Sequence, residues 1–249
     1  MKKNVGLIGR GKWGLKLKSK LLKNSNLKFV AGKKTNYSKL IKKDNVSWVF
    51  VASPNNTHYQ IVAKCLRLKV NVFCEKPLTN SYSNSLKLFK LAKSNNVKLF
   101  VSDVYAFHNK SVKKLKQHNI VARSKKVSGK DFEVLNRFMY HDISILYNFL
   151  NKNKLASLKF NQNSKKKVLE IKTVFQNKIK IIFKYNLNSI QKKHHINNIN
   201  FFTKSDILNK MLNRIFTNKV DYDINKKKAL FIIKFINNVK KALFIIKFI

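Results

Sequence analysis

Gly9-Arg10-Gly11-Lys12-Trp13-Gly14 decides how this chain is read. The segment is G-x-G-x-x-G. It follows the apolar run Asn4 to Ile8 and opens Lys12 to Lys23, where Leu15, Leu17, Leu21 and Leu22 mark a helix. The first glycine permits a tight turn and the second lets the backbone approach a pyrophosphate. The third lets helix and strand pack closely. The helix start then offers free N–H groups and the positive end of its dipole to an anion. A strand before and a helix after distinguish such a loop from an ordinary glycine-rich turn and point to dinucleotide binding. Gly9, Gly11, Lys12, Trp13 and Gly14 are therefore candidate cofactor contacts.

Outward from this loop the sequence alternates. Leu27 to Ala31, Val46 to Ala52, Val70 to Cys74 and Val97 to Val101 read as strands. Helical patterns from Thr57 to Leu68 and from Ser83 to Ser94 separate the later ones. This predicts an α/β fold, an N-terminal Rossmann doubly wound parallel sheet wrapped by crossover helices. After about Asn109 the texture changes to a helix, Val134 to Leu150, and strands at Leu155 to Phe160, Val168 to Phe175 and Ile179 to Tyr185. Helical signals return at Asp206 to Phe216 and from Lys226. The expectation is a Rossmann domain over 1–108 and a second α+β domain with a mostly antiparallel sheet over 109–249.

Composition sets the background. The 249 residues carry 54 Lys+Arg against 10 Asp+Glu, a formal charge of +44. The cations are spread evenly along the chain, and only five are arginine. A nucleic-acid reader concentrates charge in a stripe and favours Arg for bidentate contacts, so specific nucleic-acid binding is not expected. No apolar run is long enough for a transmembrane segment. Cys65 and Cys74 form neither a disulfide framework nor a zinc spacing; they read as core residues of a cytosolic protein, and no metal site is expected. Against so much lysine, the rare residues are informative. Four of six glycines lie in the first 14 residues, and the only prolines, Pro54 and Pro77, each follow a predicted strand. In an open parallel sheet that edge binds ligands.

The second strand ends Val30-Ala31-Gly32-Lys33-Lys34-Thr35, with no acid before Asp44. An NAD site usually places an acid there for the ribose 2′-hydroxyl, whereas cations suit a 2′-phosphate. Lys33 and Lys34 thus favour NADP slightly over NAD.

Ser53-Pro54-Asn55-Asn56-Thr57-His58 and Phe73-Cys74-Glu75-Lys76-Pro77-Leu78, in order after the glycine loop, complete a signature. With Phe107-His108 and Tyr140-His141-Asp142-Ile143-Ser144-Ile145-Leu146, the chain resembles the Gfo/Idh/MocA oxidoreductases, the glucose–fructose oxidoreductase and inositol dehydrogenase family. The resemblance implies an NAD(P)-dependent dehydrogenase or reductase of a sugar-like alcohol or ketone, and a homo-oligomer built across the second domain's sheet. Ser53, Pro54, Asn55, His58 and Glu75 would border the cofactor, and the bond before Pro77 would be cis. Lys76 would lie against nicotinamide and substrate, and His141 would exchange the hydroxyl proton. Hydride transfer from an alcohol needs such a proton partner, and a nearby cation polarises the oxygen.

The family pattern commonly has an aspartate four residues before that histidine; here it is Arg137. A positive side chain one helical turn away disfavours a charged imidazole. Arg137 suggests either an anionic substrate or a non-catalytic dinucleotide-binding protein, the alternative function; neither Asp142 nor Glu133 stands at the compensating spacing. Tyr105 is a further substrate candidate, with Asp103 and His108 beside it. His194-His195 reads as a solvated strand end or loop. Residues 227–236 recur at 240–249, a shift of 13. Thirteen residues rotate a helix by ~1300°, leaving the copies ~220° apart. The first copy is expected to pack and the second to be an extension, with a basic amphipathic membrane-surface helix as the rival reading.

Overall fold

Four short parallel pairings build the first sheet. The computed structural model describes residues 2–126, 135–163, 167–202 and 206–246. Strands β1 (Asn4–Ile8), β2 (Asn26–Ala31), β3 (Trp48–Val51), β4 (Asn71–Cys74) and β5 (Leu99–Val101) lie in the order β2-β1-β3-β4-β5. Every pairing is parallel. Helices α1 (Lys12–Asn24), α2 (Tyr37–Lys43), α3 (His58–Arg67) and α4 (Tyr82–Ser94) form the crossovers. All four residues of β3 are buried, the continuous apolar run expected of a strand covered on both faces. Alternating direction of travel from β1, to β2 on one side and β3 on the other, creates a switch point where the loops after β1 and β3 meet.

Capping explains one asymmetry among the helices. The side chains of Asn36 and Ser81 accept N–H bonds at the starts of α2 and α4. Each such cap is worth about 1 kcal/mol. Helix α1 begins at Gly11 with no side-chain cap, so its first N–H groups stay available. Leu17 and Leu21 bury its inner face, and Leu15 and Leu22 are exposed.

The chain divides into two compact units, Met1–Phe107 with Asp206–Lys234, and His108–Ser205 with Phe235–Ile249. The expected division at 108/109 therefore needs correcting, because residues 206–234 return to the first unit. Helix α6 (Ile207–Phe216) supplies the reason. Its Leu208, Met211, Leu212 and Ile215 bury themselves with Val5, Leu7, Trp48, Phe50 and Phe73. At about 1.5–3 kcal/mol per buried apolar side chain, that stripe outweighs proximity in sequence. Helix α7 (Tyr222–Ile246) adds Asn225, whose amide donates to the Val101 carbonyl and accepts from the Val101 N–H, both at 2.9 Å. The open edge of β5 is thereby covered. Lys228 pairs with buried Asp103 at 2.6 Å.

The second unit holds β6 (His118–Ser124), helix α5 (Tyr140–Leu150), β7 (Leu155–Asn163), β8 (Val168–Phe175), β9 (Lys180–Asn186), β10 (Lys193–Ile196) and β11 (Ile199–Asn200). The sheet order is β11-β10-β6-β9-β8-β7, and only β6–β9 is parallel. Burial alternates along β8 and β9, as in a sheet covered on one face. The expected helix from Val134 is instead a π-helical turn, Leu135–Met139, running into α5; Val134 and Glu133 lie outside the described residues. The first copy of the repeat packs through Ala229, Ile232, Ile233, Phe235 and Ile236. The backbone of α7 stays helical to Ile246, and the side chains from Leu243 on lie outside the described residues.

Candidate functional site: a cleft at the switch point

Gly9 turns the chain at φ +125, a conformation that L side chains rarely adopt. A Cβ there would fall 2.4 Å from the Ala52 carbonyl oxygen, and one at Gly14 would fall 2.2 Å from the Gly9 oxygen. A Cβ at Gly11 would meet nothing within 4 Å. Two glycines are thus required by the protein itself, and the middle one faces space open to a ligand. With the uncapped start of α1 beside it, the loop suits a pyrophosphate.

Next to this loop lies a cleft of about 860 Å³, bordered by Gly9 and Arg10, by Gly32 to Thr35, by Ser53 and Pro54, and by Thr57, Gln60 and Ile61. It lies within the size range of ligand pockets. The 32–35 turn is closed by Thr35, whose hydroxyl accepts from the Gly32 N–H at 3.0 Å. The Arg10 guanidinium donates to the Val30 carbonyl at 2.8 Å and lies against Gly32. Arg10, Lys33 and Lys34 therefore converge at the end of β2. Sequence reasoning missed Arg10 because its partner is 20 residues away; its place inside the glycine motif was the only available signal.

Other predicted contacts stand differently. Lys12, Trp13 and Asn55 are exposed and do not border the cleft. Lys16 lies over the Trp13 ring at 4.8 Å. His58 is completely buried, with Nδ1 2.9 Å from the Pro77 oxygen and Nε2 2.9 Å from the Ser53 oxygen. It lies against the cleft's walls and does not line the cleft. Burial lowers its pKa despite the raising effect of the carbonyls. Glu75 is likewise buried. Burial raises its pKa, while the Trp13 indole, the Lys76 charge and the Ser102 hydroxyl oppose the shift. The Lys76–Pro77 bond is cis and Lys76 is half-buried. Tyr105 packs partly buried on the first unit's core. Cys65 and Cys74 are buried free thiols, Cys65 with its pKa pushed up to about 12 by burial, as befits core residues.

In the second unit, Arg137 is exposed and belongs to the π-helical turn, so the one-turn α-helical relation to His141 assumed from the sequence does not hold. His141 is half-buried on α5. Its neighbour Asp142 is fully buried in a cluster that the sequence did not reveal. Asp142 Oδ1 lies 2.8 Å from His194 Nε2 and 3.3 Å from the Arg123 guanidinium, and Tyr185 donates to Oδ2 at 2.9 Å. Arg123 also donates to the Phe138 carbonyl at 3.0 Å. Burial alone would raise the Asp142 pKa, but Arg123 and the hydrogen bonds from His194 and Tyr185 bring it below its usual value. The solvated reading of His194 was wrong, since strand β10 turns it inward. No group of His, Cys, Asp and Glu among the described residues could hold a metal ion.

Fold and cleft together define a Rossmann-type unit with a ligand-sized cleft at its switch point. A profile of the oxidoreductase family with an NAD-binding Rossmann fold matches residues 18–103. That span starts beyond the glycine loop, so the loop and the match are independent observations. Residues 18–103 are thus similar to the NAD-binding Rossmann domain of that family. An uncharacterized oxidoreductase of Streptococcus pneumoniae is 32% identical over 120 residues, covering 42% of this chain and 33% of that protein. Myo-inositol 2-dehydrogenase of Thermotoga maritima is 37% identical over 78 residues, 31% of this chain and 23% of that protein. The matched part therefore spans a third or less of those relatives' lengths. UDP-N-acetylglucosamine 3-dehydrogenase from Acidithiobacillus ferrooxidans shares the fold with a TM-score of 0.78 at 13% identity, over 97% of this chain and 98% of that one. GenD2 from gentamicin A biosynthesis, solved in complex with NAD, gives 0.75 at 13%, over 95% and 92%. No helix among the described residues is long and apolar enough to cross a membrane.

Proposed function

We propose that the chain is an NAD(P)-dependent oxidoreductase acting on a sugar-like alcohol or ketone, with NADP favoured over NAD. The carrying observation is the cleft beside the glycine loop, where Arg10, Lys33 and Lys34 gather at the end of β2 without a carboxylate. Three cations suit a 2′-phosphate, and the missing acid removes the usual partner of a free ribose hydroxyl. The nicotinamide cofactor supplies or accepts the hydride when bound. Gly9, Gly11 and Gly14 shape the backbone for its pyrophosphate, and Ser53 and Pro54 border the cleft. By family resemblance, Lys76 polarises the substrate oxygen and His141 takes or returns its proton. The sugar dehydrogenases among the relatives and similar folds support the substrate class. Buried unbridged cysteines suit a reducing cytosol, and the family resemblance supports a homo-oligomer.

Binding is tested by titrating NADPH and NADH against the protein and following nicotinamide fluorescence. Tighter NADPH binding is expected, with Arg10→Ala losing about tenfold toward NADPH and little toward NADH. Equal affinities that Arg10→Ala leaves unchanged would refute the NADP assignment. Arg137, in place of the family aspartate, favours a second reading, a non-catalytic dinucleotide-binding protein. Cofactor and sugar binding without hydride transfer across a panel of polyols, aldoses and nucleotide sugars would select it.

A further inference from the structure

We propose that His58 is a positioning residue that ties the Lys76–Pro77 turn to the Ser53–Pro54 wall of the cofactor cleft. The inference rests on the cofactor reading above and extends it to a residue that the cofactor does not touch. His58 opens α3, 0% exposed, between two loops that leave the adjacent strands β3 and β4. Its ring reaches both: Nε2 to the Ser53 carbonyl and Nδ1 to the Pro77 carbonyl, each at 2.9 Å. Burial favours the neutral imidazole, which has one N–H; carried on Nδ1 it donates to the Pro77 carbonyl, while the other edge of the rigid ring rests against Ser53 of its own loop.

The two ends of the tie differ in how much else supports them. The Ser53–Pro54 side has its own brace from Thr57. The Thr57 hydroxyl lies 2.8 Å from the Ser53 hydroxyl and 2.7 Å from the Pro54 oxygen, and the Thr57 N–H donates to Pro54 at 2.9 Å. On the other side, the Glu75 N–H donates to Val51, which anchors the end of β4 one residue before Lys76. Removing the ring therefore loosens the Lys76–Pro77 turn more than the cleft wall. The nicotinamide half of the cofactor, placed beside Lys76 by the family resemblance, should feel the loss. The adenosine half, in the cleft among Arg10, Lys33 and Lys34, should not.

Two ligands separate these halves: NADPH, and 2′,5′-ADP, which carries the adenosine and 2′-phosphate without nicotinamide. His58→Phe keeps an aromatic ring of similar bulk and removes both polar edges. His58→Gln keeps one donor and serves if the first variant does not fold. Calorimetric titration should show NADPH weakened about tenfold by His58→Phe and less by His58→Gln, with 2′,5′-ADP held within about threefold. Equal weakening of both ligands would show general destabilisation, and unchanged NADPH affinity would show that the tie is dispensable; either result overturns the proposal. Failure of the parent protein to bind either ligand would instead overturn the cofactor reading.

Discussion

Gly11 and Gly14 are three residues apart and have opposite reasons to be glycine. At Gly14 the obstacle is the protein, since an added Cβ would sit 2.2 Å from the Gly9 carbonyl oxygen. Gly14→Ala should therefore cost about 2 kcal/mol or more in chemical denaturation. At Gly11 there is no obstacle, and alanine for glycine at this N-cap costs about 1 kcal/mol. Gly11→Ala should lose less stability than Gly14→Ala yet bind NADPH at least about tenfold more weakly, because its methyl would enter the space proposed for the pyrophosphate. A Gly11→Ala protein with full NADPH affinity would contradict that assignment. The glycine roles were legible because G-x-G-x-x-G spacing encodes local geometry. The role of His58 was not, since its two carbonyl partners are fixed only when β3 and β4 lie side by side.

Helix α5 shows what a single buried acid does for an element. Asp142 connects the helix to β6, β9 and β10 through Arg123, Tyr185 and His194. Asp142→Asn removes the countercharge of Arg123, and breaking a buried pair in this way costs about 3–5 kcal/mol. Urea unfolding of that variant should show a loss of this size, and a loss below about 1 kcal/mol would mean that Arg123 finds solvent. Sequence alone suggested a helix here and misjudged its first turn, because a π-helical turn is stabilised by tertiary contacts such as the Arg123 bond to Phe138. It also misread His194, whose partner Asp142 is distant in sequence and on another element.

Stability of the whole molecule should fall in acid in two stages. Burial holds His58 and His194 below their ordinary values, so between those lowered values and about 6.5 the unfolded chain binds more protons. Their contribution is complete above about pH 6.5 and is lost as pH falls below it. Asp142 adds a second stage at lower pH, because its carboxyl is held below the carboxylate value and must be protonated on unfolding. Denaturation midpoints measured from pH 8 to pH 4 should decline from about pH 6.5 downward, and less so in His194→Asn. At this scale the sequence determined the parallel sheet, the glycine loop and the mixed second sheet, because local periodicity and rare glycines and prolines record them directly. Only the tertiary structure decided that residues 206–234 rejoin the first unit, that Arg10 meets Lys33 and Lys34, and that Asp142 is buried with Arg123 and His194. Each depends on packing between segments far apart in the chain, where burial and charge pairing leave no fixed spacing in the sequence.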